Sequence, residues 1–375
     1  MEILHLIYDD LDNPWLGGGG AVCTRAIAAH MSQKKYKTTI LVGAYPGSKE
    51  KQLEDNVRVV PIGWGNNYLM SRLSYTIYGF FFLVFHHKKY ALIVDDASPF
   101  SPVFSYLFQG RTPVIGNFQN IFKKHIFNKY PHMGFLPYTV EAMSHFFFKT
   151  TIVMSPFMRD YMRSKKDCYP IPNGINLEDI PVFSKTPPFP EQKYIAFLGR
   201  IDIYQKGLDL LLDALIDIKT LLEQENVVVL VAGDGSDMTR YKNLIEEKKM
   251  QSLIKLTGRI EGDKRYHFLR KALFTVMPSR YEALSLVLLE SQACGAPLIA
   301  TDIPTFNFII NHNINGYLLP TESAPHLARG IQKLLGDAEF RKKLSDNALE
   351  YSKKYDRTHF LKIREKLYLR IMNPA

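Results

Sequence analysis

Cysteine is scarce in this chain. Cys23, Cys168 and Cys294 are the three in 375 residues. They are odd in number, far apart and in no metal-ligand spacing. That excludes a disulfide framework and a structural zinc site, and predicts a reducing compartment. Long apolar runs are also missing. The longest, Tyr75 to Phe85, falls short of the roughly 20 residues a bilayer span needs. No basic leader is visible, because Met1-Glu2-Ile3-Leu4-His5-Leu6-Ile7 reads as a strand. The expectation is a cytoplasmic chain, or one held peripherally at the inner face of the cell membrane. Acids, finally, are nearly absent from Ala97 to Lys166. Nine Lys or Arg stand there against Glu141 and Asp160, so seven of the net +10 charges arise in that stretch. A one-sided basic region predicts an anionic partner such as acidic lipid, a phosphorylated acceptor or nucleic acid.

What is present is a soluble globular composition, 46% hydrophobic and 22% charged, in a chain long enough for two domains. Short apolar strands alternate with amphipathic helices throughout. That pattern predicts an α/β protein of two Rossmann-like, doubly wound parallel-sheet domains. The boundaries are expected at residues 1–172 and 173–356, with a helix over 357–375 at the end. Pro181, Pro187, Pro188 and Pro190 predict a stiff connector.

The most informative stretch runs from Pro278 to Gly295. Phe274–Met277 reads as a buried strand, the run Leu286 to Ala293 as a helix, and Gly295 as its cap. Glu282 then lies in a loop at the carboxyl end of a strand, where ligands bind in open α/β sheets. Glu290 lies further along the helix. The amides of Leu284 to Val287 would form an anion site at the helix start, and the two carboxylates would accept from sugar hydroxyls. A carboxylate–hydroxyl bond contributes roughly 1.5–3 kcal/mol. A phosphate flanked by two polyols describes a nucleotide sugar.

The Glu-x7-Glu spacing in this frame resembles the retaining glycosyltransferases of family 4, which have the GT-B fold, two such domains facing a cleft. The resemblance implies that Glu282 binds the transferred sugar and Glu290 the ribose, with Ala283, Leu284, Ser285 and Leu286 along the donor. The family usually has Gly or an aromatic residue where this chain has Ala283, Leu284 and Ser285, so side chains are expected to narrow the approach to the donor. Gly199-Arg200 and Lys206-Gly207 resemble the family's diphosphate clamp. Arg200 would grip phosphate oxygens bidentately and Lys206 would add a point charge, countering the charge that builds on the leaving diphosphate. Gly233 belongs to the family's G-x-G turn, and the resemblance places the nucleobase at Arg259 and Ile260. Ile171-Pro172-Asn173-Gly174-Ile175-Asn176 resembles the family's crossover. The last helix resembles the one that packs back on the first domain.

The first half is read more loosely. Strand Glu2 to Tyr8 runs into Gly17-Gly18-Gly19-Gly20 and then a helix from Ala21 to Ser32, a geometry suited to phosphate approach. A nicotinamide site needs an acid after the second strand, but Thr38 to Ala44 continues as Tyr45-Pro46-Gly47. In the family this glycine loop, here Gly18 and Gly19, meets the donor diphosphate. Gln119, beside Asn120, stands where the family commonly has a His near donor and acceptor. Asp10-Leu11-Asp12 spells the D-x-D of metal-dependent transferases of another fold, but an acidic turn is the better reading. Asp95-Asp96 lacks a third ligand, so no metal is expected. Tyr68 to His87 reads either as a buried helix or as a surface helix docked on lipid. Ile121 to Lys149 interleaves aromatics with basic residues, as single-stranded nucleic-acid sites do. It carries no nucleic-acid motif, and a membrane-facing or acceptor-binding face fits it better.

The function expected is metal-independent, retaining transfer of a hexose from a UDP- or GDP-sugar to a sugar or lipid-linked acceptor. Cell-envelope polysaccharide, glycolipid or another glycoconjugate would be the product. No cofactor beyond the donor substrate and no nucleic acid is expected. The alternatives are a sugar-nucleotide epimerase or phosphorylase of the same fold, or an inactive protein that binds membrane surfaces.

Overall fold

The computed structural model describes residues 1–15, 18–54, 56–129, 132–165, 167–181 and 192–373. Gly17, Lys166, Pro187, Pro188 and Pro190, singled out above, lie outside these. The chain forms two compact units. One is Met1–Asn173 joined by the chain from Thr358 on; the other is Gly174–Arg357.

The first unit holds an eight-stranded sheet. Its strands are β1 (Glu2–Leu6), β2 (Lys37–Gly43), β3 (Lys51–Glu54), β4 (Val57–Ile62), β5 (Leu92–Asp96), β6 (Val114–Phe118), β7 (Thr150–Val153) and β8 (Cys168–Pro170). Their order is β3-β4-β2-β1-β5-β6-β7-β8. All pairs are parallel except β3 on β4. Strand β2 is buried at every residue after Lys37, as a strand covered on both faces must be. The edge strands β3 and β8 are not foreseen, being short and without an apolar alternation to mark them. The first helix, Gly19–Gln33, takes in Gly19 and Gly20, which the glycine run had assigned to a loop.

The helix Tyr68–His86 corrects the reading of apolar runs. With the turn that continues it to Lys89, it is long and apolar enough by length and composition to cross a bilayer. A count of uninterrupted apolar residues stops at Ser71, Arg72 and Ser74, but the helix continues through them. Asn67 caps it, its Oδ1 accepting from the Met70 amide at 2.9 Å. The segment Ile121 to Lys149 divides into the helices His125–Lys129 and Phe135–Phe147. The helix opened by Pro156 ends at Arg159. The final helix, Arg357–Met372, buries Arg364, Leu367 and Tyr368.

The second unit holds six parallel strands: β9 (Lys193–Leu198), β10 (Val227–Ala232), β11 (Ile254–Gly258), β12 (Phe274–Met277), β13 (Leu298–Thr301) and β14 (Tyr317–Leu319). The order is β11-β10-β9-β12-β13-β14. Strand β9 shows why helices cover both faces. Ile195 and Phe197 join a core with Leu211 and Leu215, while Tyr194, Ala196 and Leu198 join another with Phe268 and Leu269. The helical stretch after Ala324 is interrupted at Asp337 as well as near Tyr355. Asp337 ends Ala324–Gly336 and caps Ala338–Ser352, its Oδ1 accepting from the Phe340 amide at 2.8 Å.

Each sheet has a switch point where the strand order turns back beside the unit's first strand. It lies between β1 and β5 in the first unit and between β9 and β12 in the second. Loops leaving the carboxyl ends of such strands diverge, and a crevice opens there.

Candidate functional site

In the second unit the loops after β9 and β12 flank that crevice and are pinned to each other by backbone. A short helix, Ile203–Lys206, follows β9. Asp202 Oδ1 caps it by accepting from the Gln205 amide at 3.0 Å. Gly207 ends it at φ +64°, pressed so close to Pro278 that any side chain would collide with the Pro278 carbonyl oxygen. The Arg280 amide donates to Gln205 O at 2.9 Å. Its guanidinium grips both oxygens of Asp209 at 2.7 Å and also reaches Tyr204 O and Glu322.

This clamp brings Lys206 and Glu282 together. Lys206 Nζ donates to Glu282 Oε1, and Ser279 Oγ donates to the same oxygen at 3.1 Å. Both charged side chains are mostly buried, 13% and 8% exposed. Arg200 is exposed, and its Nη2 donates to Gln205 Oε1 at 2.7 Å. So Arg200, Lys206 and Glu282, 82 positions apart at the extremes in sequence, are tied to one short helix and its facing loop.

The loops after β10 and β11 join the same edge. Gly233 has φ +141°, and a methyl group there would run into the Gly199 carbonyl oxygen. Its amide donates to Gly258 O at 2.8 Å, and the Ile201 amide donates to Asp234 O at 2.9 Å. Arg259 is exposed and pairs with Glu261 at 2.9 Å, while Ile260 packs with Val287 against the core around Tyr194.

The helix after Glu282 begins at Leu286. Ser285 caps it, its Oγ accepting from the Leu288 amide at 3.4 Å. Leu284 is therefore outside the helix, and the open first-turn amides are those of Leu286 and Val287 rather than the expected run from Leu284. Ala283 and Ser285 are both buried. Leu284 between them is half-buried. Glu290 is buried 3.3 Å from Arg265 Nη2. Burial pushes its carboxyl above the usual range, against the pull of Arg265 and Arg357.

The first unit carries the other expected residues. Gly18 caps the helix Gly19–Gln33, and a side chain on Gly20 would press on Gln119 Nε2 at 3.3 Å. Gln119 is held at both ends: Nε2 donates to Asp96 Oδ1 at 3.1 Å, and Oε1 accepts from Asn173 Nδ2 at 2.8 Å. Arg364, 5% exposed, donates to Asn173 Oδ1 at 2.9 Å and Ile171 O at 3.1 Å. Thr24 and Asn117 also donate to Asp96. The neighbouring Asn120 Oδ1 is buried without a hydrogen-bond partner among the described residues. Asp10 accepts from Arg25, Lys51 and Tyr45, and Asp12 pairs with Lys51, so the D-x-D acids are neutralised within the fold. Among the described residues no group of three or more His, Cys, Asp or Glu is placed to hold a metal.

Sequence reading missed Arg265, Arg280, Asn173, Arg364 and Asp96 as structural partners. An Arg inside a motif looks like any surface cation until its acids, Asp209 and Glu322, are seen beside it. Arg364 sits in a helix of mixed polarity that offers no periodicity to flag a buried charge.

Asp95 makes a pH dependence. It is buried, accepts from Ser105 Oγ at 2.6 Å, and has its pKa pushed up from 3.8 to about 7, by burial first and by the Asp96 charge as well. The folded chain then holds a proton that the unfolded chain releases. The stabilisation is complete below about pH 4 and is lost as pH rises towards 7 and beyond. Asp95→Asn keeps an acceptor for Ser105 without the charge. It should stabilise the protein at pH 8 by on the order of 2–4 kcal/mol and leave pH 4 little changed. Melting curves across pH 4–8 for both proteins test this; parallel curves would contradict the buried-acid account.

The chain matches the family model "Glycosyl transferases group 1" over residues 180–351 and "Glycosyltransferase Family 4" over residues 17–179. It is 34% identical over 159 residues to an uncharacterized glycosyltransferase of Methanocaldococcus jannaschii, a match covering 42% of this chain and 43% of that one. The matched stretch is thus less than half the length of this curated relative. Among solved structures, sucrose-phosphate synthase from Thermosynechococcus elongatus superposes with TM-score 0.83 at 18% identity over 100% of both chains. Anabaena HepE in complex with UDP and glucose superposes with TM-score 0.74 at 17% identity, over 98% of this chain and 99% of that one. These likenesses give the fold, and the two family models together run from residue 17 to residue 351. The chain belongs to the family 4 glycosyltransferases and has their GT-B fold.

Proposed function

We propose that the protein transfers a hexose from a nucleoside diphosphate sugar, of UDP or GDP, to an acceptor hydroxyl with retention at the anomeric carbon and without a metal ion. The observation that carries this is the Lys206–Glu282 pair, lying across the place where the strand order turns between β9 and β12, with Arg200 held beside it by Gln205. In this reading Arg200 and Lys206 meet the diphosphate. The bond from the anomeric carbon to the diphosphate oxygen breaks as the acceptor oxygen bonds on the same face, and the acceptor proton leaves with the diphosphate. Negative charge grows on the leaving group, so cations fixed there stabilise the transition state more than the ground state. They take the part a metal ion plays elsewhere. Glu282 accepts from sugar hydroxyls, buried Glu290 from the ribose, and the amides of Leu286 and Val287 face the donor. Arg259 and Ile260 lie at the base. Gly18, Gly19, Gln119 and Asn120 serve the acceptor and diphosphate side, where the unpartnered Asn120 Oδ1 awaits a donor. The UDP and glucose held by the Anabaena protein favour a UDP-sugar. The acceptor is a sugar or lipid-linked sugar of a cell-envelope polysaccharide or glycolipid.

The test is a thermal-shift panel with UDP, GDP, ADP, TDP and their sugar conjugates, beside Arg200→Ala. A ligand that binds only the folded state stabilises it by RT ln(1 + [L]/Kd), about 2.7 kcal/mol at a hundredfold excess over Kd. One base should shift the melt, and the shift should shrink in Arg200→Ala. No shift with any nucleotide would sink the reading. The anomeric proton coupling of the product then reports retention.

A further inference from the structure

The helix Tyr68–His86 carries one stripe of exposed apolar side chains. Leu69, Leu73, Ile77, Phe81 and Phe85 recur at every fourth position and are 53–75% exposed. Residues four apart share a helix face. The opposite face is fastened to the sheet. Tyr8 Oη donates to Ser71 Oγ at 3.0 Å, Ser74 Oγ accepts from the Trp64 amide at 2.8 Å, and Gly79 lets Val103 approach. The helix is thus tethered along its length beside the sheet. It cannot cross a bilayer, despite its length, without breaking those contacts. The neighbouring turn Ser105–Phe108 links this helix to a second one through its buried rings Tyr106 and Phe108. Phe80 packs on Phe108 at 6.0 Å, Leu107 is 64% exposed, and Tyr106 stacks on Phe147 at 5.4 Å. Phe147 belongs to the helix Phe135–Phe147, whose Leu136, Met143 and Phe146 are also exposed.

Monomeric soluble proteins rarely leave so many large apolar side chains uncovered on neighbouring elements. Its borders are basic. Exposed Lys88 and Lys89 close one end, exposed Lys149 follows the second helix, and Arg163 lies 4.0 Å from the Phe146 ring. The helix Tyr68–His86 contains no acid. We infer that this face of the first unit is a membrane-docking surface for an anionic bilayer. The stripe enters the boundary between headgroups and acyl chains while the bordering cations meet lipid phosphates. Amphipathic interfacial helices bind in this way, their affinity the sum of buried apolar area and attraction to anionic lipid. The basic border decides between occupants, because a second copy of this chain would bring the same cations against each other.

The experiment is flotation of the full chain with phosphatidylcholine vesicles and with vesicles containing phosphatidylglycerol. The wild type should float with the anionic vesicles, less so as salt rises. Leu73→Glu/Phe81→Glu should reduce recovery at least tenfold, and Lys88→Glu/Lys149→Glu should reduce it mainly at low salt. All four positions are exposed, so circular dichroism should be unchanged. The nucleotide thermal shift should persist in both variants, which separates this outcome from that of the donor site. Recovery that is absent, or unchanged in both variants, overturns the inference. So does a wild-type dimer in sedimentation that Leu73→Glu/Phe81→Glu dissolves, which would assign the face to a second copy.

Discussion

Lys206→Ala is expected to lower the turnover of the proposed sugar transfer by about 10²–10³-fold, the typical loss of one transition-state charge stabiliser. The expectation rests on where the ammonium is held. The Gly207 turn and the Arg280 clamp leave Lys206 little freedom, so in the proposed reaction its charge is already placed when the diphosphate departs. Glu282→Gln should cost a similar factor, while keeping an oxygen for Ser279 and most of the stability. The two residues touch, so their effects should not multiply. The double variant should lie well above the product of the single losses. Lys206→Ala also leaves Glu282, 8% exposed, without its cation. Some loss of melting temperature should accompany it, and the activity must be read at a temperature where the variant is folded. The readout is nucleoside diphosphate release from the donor identified by thermal shift. Wild-type turnover in a folded Lys206→Ala would remove Lys206 from the mechanism, and a fully multiplicative double variant would mean the pair does not act as one.

Gly233→Ala should disrupt the second unit. The backbone there has φ +141°, which side chains rarely adopt, and the added methyl group meets the Gly199 carbonyl oxygen. Neither atom can give way cheaply, since Gly199 continues β9 and its amide donates to Ala232 O at 3.0 Å. Backbone strain of this kind costs about 1–3 kcal/mol, and the collision adds to it. A total above about 4 kcal/mol is the expectation, in the range of the most damaging point mutations. Calorimetry should show the second unit's transition lowered by ten degrees or more, or missing. Gly110→Ala is the control, with a conventional φ and open space around the position. A Gly233→Ala protein that melts like the wild type would mean that the loops after β9 and β10 are not interlocked.

The fold was legible from the alternation of apolar runs because most strands are buried on both faces. Ile40 to Val42 and Val227 to Ala232 read as uninterrupted apolar stretches. The edges were not legible, since an edge strand such as Lys51–Glu54 has little apolar signature to read. The glycine run hid the helix start, because Gly19 and Gly20 are helical although glycine carries no helical preference of its own. At the candidate site, Arg200, Lys206, Glu282 and Glu290 stand out by spacing. What was invisible is how they are held. Gln205 on Arg200 and Ser279 on Glu282 are local contacts between side chains that no pattern pairs, while Arg265 on Glu290 and the Arg280 clamp on Asp209 join residues well separated in sequence. The apolar stripe was half-legible. Its composition admitted both a core helix and a lipid-facing one, and only the exposure of every fourth residue separates them.

The bonds that Arg364 makes bear on the order in which the chain acquires its structure. Arg364 and Asn173 are 191 positions apart, yet both are buried in one unit. A ribosome delivering the chain from its amino end presents Asn173, Gln119 and Asp96 long before Arg364 exists. Until then the first unit lacks a partner for Asn173 Oδ1 and Ile171 O, and its sheet stays uncovered where Leu367 and Tyr368 will lie. The second unit, uninterrupted from Gly174 to Arg357, has no such wait. Closing a loop this long costs little more than closing a shorter one, about 0.6 kcal/mol per doubling. The delay is therefore one of synthesis rather than of equilibrium. The nascent first unit is the stage at which a chaperone has most to protect, and a chain stopped before Arg364 would be left in that state.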